Sequence, residues 1–159
     1  MPSCVIDSPI GPLLLSQEGE ALAAVRLMGA EQAVGGECTP LLAEVKRQLD
    51  AYFAGALRAF DLPLCPKGSA FDLRVWAQLR AIPYGELRTY GQIAAALGKP
   101  TASRAAGGAC GRNPLLIVVP CHRVVGASGA LTGFAAGLDA KRALLSLGGF
   151  AVAKGRVHR

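Results

Sequence analysis

Two adjacent residues, Cys121 and His122, are the strongest candidates for chemistry in this chain. A cysteine sulfur attacks as the thiolate. A neighbouring base, a nearby cation or a helix N-terminus can supply that state near neutral pH. The pair follows the apolar run Ile117-Val118-Val119, which reads as a buried strand, and Pro120 fixes the turn into it. Arg123 follows directly. A thiol beside an imidazole at the end of a buried strand is suited to attack an electrophilic centre.

Blander readings of the same residues stand beside this one. A cysteine in an apolar segment is commonly an inert core residue. Cys-His could also supply two metal ligands, but the other cysteines (Cys4, Cys38, Cys65 and Cys110) are scattered singly, without the second spaced pair of a zinc site. The same scatter argues against a disulfide framework. An odd count of five, with no apolar signal segment at the N-terminus, leads us to expect a reduced, cytoplasmic setting.

The chain has 159 residues, 52% hydrophobic and 18% charged, enough apolar material for a core and too much for disorder. No apolar run approaches the roughly 18 residues of a membrane span. Charge is unevenly placed. Residues 1–66 carry four Lys/Arg against eight Asp/Glu, a balance of −4; residues 67–159 carry thirteen against three, a balance of +10. This asymmetry suggests two units, 1–66 and 67–159, with the second facing a polyanion. A solvated basic surface would give the same count.

The elements that must position the pair can be read from turns and periodicity. Ser3–Ser8, Leu13–Gln17 and Leu22–Leu27 read as a three-strand meander, and Gly35-Gly36 as a loop. Leu41, Leu42, Val45, Leu49, Tyr52 and Phe53 recur at helical spacing, which predicts an amphipathic helix over Pro40–Ala54 covering one face of the sheet. Pro63, Pro66 and Gly68 mark a linker. In the second unit Ser69-Ala70-Phe71-Asp72 opens a helix that ends at Pro83-Tyr84-Gly85. Thr89-Tyr90-Gly91-Gln92 is a stronger capping box and starts a short helix. After Gly98-Lys99-Pro100 a second short helix runs from about Thr101 through Gly108, so a helix-turn-helix falls at about 89–109. Its second helix carries small side chains around a single Arg104. Such a surface can lie against a protein core or in a narrow DNA groove, where a protruding arginine could enter the base stack. A last helix is expected over Leu138–Leu147, followed by ten polar or basic residues that read as frayed.

Taken together, Pro120-Cys121-His122-Arg123-Val124, Asn113-Pro114 upstream of the cysteine, Ser103-Arg104-Ala105-Ala106-Gly107-Gly108 and Thr89-Tyr90 resemble the O6-alkylguanine-DNA alkyltransferases, over about residues 70–150. The N-terminal meander with its helix is similar to that family too. The resemblance implies an α+β fold, with a small antiparallel sheet and helix of ribonuclease H-like form before a mostly helical, winged-helix-like domain. It implies DNA repair by direct reversal. The damaged guanine, or an O4-alkylthymine, is rotated out of the duplex, and the alkyl group passes irreversibly to Cys121. His122 and Asn113 would complete the catalytic set. Arg104 would fill the gap in the stack, and Tyr90 would crowd the phosphate. Ala102, Ser103, Ala105, Gly107 and Arg123 would join them on the DNA, in the minor groove of the double strand. Tyr90, Cys110, Leu116, Val124, Phe134, Ala135 and Ala136 would form the base pocket. The resemblance implies no metal, no cofactor, no membrane and a monomer on DNA.

Two positions depart from the family pattern. The residue 27 places after the reactive cysteine is a glutamate in the family, where it orients the histidine; here it is Gly148. Ala136 stands at a loop position usually held by glycine. Gly148 keeps an alternative open, a module that binds alkylated bases with weak or no transfer. A helix-turn-helix regulator is disfavoured by the small-residue helix. A Cys-His hydrolase is disfavoured because nothing resembles a separate substrate cleft.

Overall fold

The structure, a computed structural model, describes residues 1–134 and 136–158. It divides into two compact units. Met1–Lys67 together with Pro114–Val118 form the first, and Gly68–Asn113 together with the chain from Val119 onward form the second. The α+β class expected from the sequence is what the chain adopts.

In the first unit, β1 (Ser3–Ile6), β2 (Leu13–Glu18) and β3 (Ala21–Leu27) form the antiparallel meander read from the turns. Gly35-Gly36, read as a loop, is instead a short fourth strand, β4, paired with β1 at the sheet's other edge. The free edge of β3 is covered by two stretches of chain. The Leu22 N–H donates to Pro63 O and the Val25 N–H to Pro114 O, while Leu116 N–H returns a bond to Val25 O. Pairing of this kind protects a strand edge from association. Helix α1 (Pro40–Phe53) is capped by the Thr39 hydroxyl, which accepts from the Leu42 N–H at 3.1 Å. It packs on the three meander strands. Leu42, Val45 and Leu49 are wholly buried, and each contributes roughly 1.5–3 kcal/mol on transfer from water.

The run Ile117-Val118-Val119 is not a strand. Ile117 has φ of 72°, and the Val118 N–H donates to Leu116 O, which makes a left-handed γ-turn. For a β-branched residue this conformation is strained, at a cost on the order of 1–3 kcal/mol. Burial on both faces mimics a core strand in sequence, and hydrophobic pattern alone does not distinguish the two.

In the second unit, α2 (Ala70–Arg80) starts at a complete Ser69–Asp72 capping box and α3 (Tyr90–Ala96) at a complete Thr89–Gln92 box, as the sequence signals indicate. Helix α4 (Ser103–Gly111) packs on both. It begins two residues later and runs three residues further than the Thr101–Gly108 span read from the sequence. The Trp76 indole N–H donates to Ala109 O at 2.8 Å, and Arg112 forms an ion pair with Asp72, so α2 anchors the far end of α4. Two short parallel strands, β5 (Arg88–Thr89) and β6 (Val124–Val125), join the start of α3 to the residues that follow Cys121. Helix α5 spans Leu138–Leu147. The tail is not frayed: β7 (Ala151–Ala153) and β8 (Arg156–His158) form a hairpin. Val157 and Phe150 there are buried in a cluster with Val125, Leu131 and Leu145, which offsets the ordering cost of the polar tail. No helix among the described residues is long and apolar enough to cross a membrane.

Candidate active site and DNA-facing helix

Cys121 begins a single 3₁₀ turn, Cys121–Arg123, entered through Pro120. The Cys121 N–H donates to Val119 O across the proline, an inverse γ-turn that turns the chain inward. Asn113 supports the turn from the side. Its Nδ2 donates to Val119 O at 2.9 Å and to Cys121 Sγ at 3.2 Å. The thiol is 4% exposed. Burial raises its pKa; the Asn113 hydrogen bond and then the Lys141 charge oppose that rise by favouring the thiolate.

His122 is also buried, and its Nδ1 has no hydrogen-bond partner among the described residues. Burial, reinforced by the Arg123 and Lys141 charges, holds its pKa down at about 3, so the ring is neutral at physiological pH. An orphaned ring nitrogen of this kind is uncommon in folded proteins. Gly148, where a carboxylate is expected, caps the C-terminus of α5 at φ −74° and ψ 3°. Helix α5 packs against the Cys121–Arg123 turn.

Lys141 was not singled out from the sequence. It is wholly buried on α5, and its Nζ donates to Val124 O at 2.7 Å, Thr132 O at 3.2 Å and Tyr90 Oη at 3.4 Å. The ammonium also faces the Tyr90 and Phe134 rings, 5.7 and 5.8 Å from their centroids. Burial lowers its pKa, and the Cys121 and Cys110 thiols act in the opposite sense. One signal was available: α5 buries Ala140, Lys141, Leu144 and Leu145, so a lysine falls on the apolar face of an amphipathic helix.

Tyr90, Thr132 and Phe134, which meet the Lys141 ammonium, also line a cavity of about 670 Å³ together with Arg104, Gly107 and Gly133; Cys121 and His122 are not in its wall. Tyr90 opens α3 and donates to Thr132 O at 3.2 Å. A Cβ on Gly107 would touch the Tyr90 ring at 3.6 Å, so the two helices meet closely here. Ser103, Arg104 and Ala105 are exposed at the start of α4, with Ala102 half-buried just before it.

Among the pocket residues expected from the sequence, Tyr90 and Phe134 line this cavity. Val124 reaches the site through its carbonyl, which Lys141 holds. Cys110 is buried on α4, with burial raising its thiol pKa to about 12, so it stays protonated. Ala136 is half-buried beside the start of α5, and Ala135 lies outside the described residues. Leu116 sits in the Pro114–Val118 segment that belongs to the first unit. Arg123 differs from its expected DNA-facing position. It is 8% exposed, donates to Ile82 O at 2.8 Å and stacks over the Tyr84 ring, because its guanidinium satisfies a buried carbonyl and an aromatic face at the Cys121–Arg123 turn.

Known proteins resemble this chain in sequence and fold. Residues 70–150 match the family model described as the DNA binding domain of 6-O-methylguanine DNA methyltransferase, and residues 3–66 match the model of its ribonuclease-like domain. The methylated-DNA–protein-cysteine methyltransferase of Methanosarcina acetivorans is 50% identical over 150 residues, covering 91% of this chain and 96% of that one. The crystal structure of the Mycobacterium tuberculosis O6-methylguanine methyltransferase superposes with a TM-score of 0.83 at 46% identity, covering 93% of each chain. The M. tuberculosis protein in complex with DNA gives 0.81 at 48% identity, covering 91% and 90%. The chain therefore belongs to the 6-O-methylguanine DNA methyltransferase family, whose members repair DNA by moving an alkyl group onto one of their own cysteines.

Proposed function

We propose that this chain rotates an O6-alkylguanine out of duplex DNA and transfers the alkyl group to Cys121. The observation that carries the reading is the Asn113 Nδ2–H directed at Cys121 Sγ, at 3.2 Å, in a unit whose cleft is lined by Tyr90, Arg104 and Phe134. The second half of the chain supplies the basic surface for phosphate. Helices α3 and α4 act as a helix-turn-helix that enters the minor groove, because α4 presents only small side chains around Arg104. Arg104 fills the space left by the extruded base, and Tyr90 closes on the flanking phosphate.

Cys121 loses its proton, and the thiolate attacks the alkyl carbon. The S–C bond forms as the C–O6 bond breaks, and guanine leaves with the electron pair and takes up a proton. The product is a thioether, which water does not hydrolyse, so each chain acts once. Asn113 steadies the developing thiolate with an N–H, and Lys141 does so with charge. His122, neutral and with no partner for Nδ1 among the described residues, contributes less here than a carboxylate-paired histidine would. The protein works as a monomer without a cofactor, in a reducing intracellular compartment.

The test is incubation with duplex DNA containing O6-methylguanine, read by intact mass and peptide mapping. One methyl group per chain, on Cys121, is the expected result, with no further turnover in excess substrate. Methyl on another cysteine would sink the assignment. Tight binding without transfer would establish the lesion-binding alternative instead.

A further inference from the structure

The repair reaction leaves one thiol pair unused. Cys4 on β1 and Cys38 just beyond β4 have their sulfurs 3.5 Å apart, although 34 residues separate them in sequence. Cys4 is buried and Cys38 is exposed. Backbone pairing holds them together. Cys4 is in register with Gly36, and the Glu37 N–H donates to Ser3 O at 3.0 Å, so the residue before Cys38 is fixed to the residue before Cys4. The approach depends on glycine: a Cβ on Gly36 would fall 2.8 Å from Ser3 O and 3.0 Å from Cys4 Cα.

We propose that Cys4 and Cys38 form a redox dithiol that closes to a disulfide on meeting a low-molecular-weight disulfide, while Cys121 stays reduced and competent. A disulfide needs a sulfur–sulfur distance of about 2.05 Å, so the two sulfurs, already in contact at 3.5 Å, must close by the difference. The exposed Cys38 thiolate attacks one sulfur of the oxidant, RSSR, and RS⁻ leaves. The Cys4 thiol gives its proton to solvent and attacks the Cys38 sulfur, and the second RS⁻ leaves. Two protein thiols are oxidised and one RSSR is reduced to two RSH. Cys4 is held back in the resting state, its pKa pushed up to about 11 by burial and then by the Cys38 hydrogen bond and charge. Capping Cys38 removes the last two causes, so the first step primes the second. Cys121 is 4% exposed and meets a bulky oxidant last.

The experiment treats the full chain with oxidised glutathione, followed by non-reducing peptide mapping and methyl transfer. Loss of two hydrogens, a Cys4–Cys38 cross-linked peptide and undiminished transfer to Cys121 are expected. So is a rise in Tm on the order of 5 °C, because the bridge restricts the unfolded chain. Cys38→Ser, a surface change, should abolish the two-hydrogen loss, the cross-link and the rise in Tm; Cys4→Ala should trap glutathione on Cys38. Glutathione remaining on Cys38 of the parent, oxidation of Cys121 first, or the same two-hydrogen loss in Cys38→Ser would each overturn the proposal.

Discussion

Asn113 and Cys121 stand on either side of the Pro114–Val118 excursion, and the Asn113 carboxamide bonds to both Val119 O and the reactive sulfur. One side chain thus closes the neck of the excursion and supplies an N–H to the nucleophile.

Asn113→Ala should therefore separate two effects. Loss of the N–H raises the Cys121 pKa, shifting the pH–rate midpoint for alkylation upward, by about tenfold in rate per pKa unit at fixed pH. Loss of the bond to Val119 O costs about 1–3 kcal/mol of stability. Reaction of free thiol reagents with Cys121 across pH, beside urea unfolding, reads both. An unchanged midpoint would remove Asn113 from the catalytic set.

His122 predicts an acid sensitivity. Its folded pKa lies near 3, below the unfolded value of 6.5, so below about pH 6.5 the unfolded chain binds a proton that the folded chain refuses. Stability is complete above that pH and is lost as pH falls toward about 3, with a slope approaching 1.4 kcal/mol per unit, roughly. Urea midpoints measured from about pH 7.5 down to 4.5 should fall in the parent and flatten in His122→Phe. Parallel curves would mean that the ring gains a partner in solution.

Lys141→Met keeps much of the side-chain shape and removes the charge. Val124 O loses the Lys141 ammonium and Thr132 O keeps only the Tyr90 hydroxyl, at a cost of about 1–3 kcal/mol. The Cys121 pKa should rise and single-turnover transfer should slow by about tenfold or more. Rates equal to the parent in a folded variant would show that the ammonium is only structural.

Arg104→Ala should slow repair of duplex DNA far more than reaction with free O6-alkylguanine base, because only the duplex leaves a gap to fill. Duplex affinity should fall steeply with salt in both proteins, as counterions are released. Equal losses on the two substrates would place Arg104 in the pocket and not in the stack.

Gly148→Glu tests the departure from the family pattern. The atoms nearest an added Cβ are Leu145 O, Leu144 O and the Phe150 ring, at 3.4–3.7 Å, in a backbone conformation open to any residue. A carboxylate reaching His122 Nδ1 would raise the imidazole pKa and speed methyl transfer several-fold, by about 1.4 kcal/mol per pKa unit gained. Nuclear magnetic resonance titration of His122 beside single-turnover rates checks both. A folded variant with a raised pKa and no faster transfer would show that Asn113 and Lys141 already activate the thiol fully.

The sequence by itself determined the features whose causes are local. Capping boxes at Ser69 and Thr89, the meander turns, the α1 and α5 periodicities and the adjacency of Cys121 and His122 each depend on a few neighbouring residues, and all are legible without a structure. Tertiary structure alone decided the rest. The Ile117-Val118-Val119 run looks like a strand, but Ile117 turns left-handed because Pro114–Val118 packs in the first unit. The polar tail is ordered because Val157 finds a cluster assembled from distant residues. Arg123 turns inward to a carbonyl at Ile82, and Lys141 becomes part of the site through acceptors at positions 90, 124 and 132. Spacing along the chain encodes helix faces and caps, whereas these partners meet only once the second unit has closed around them.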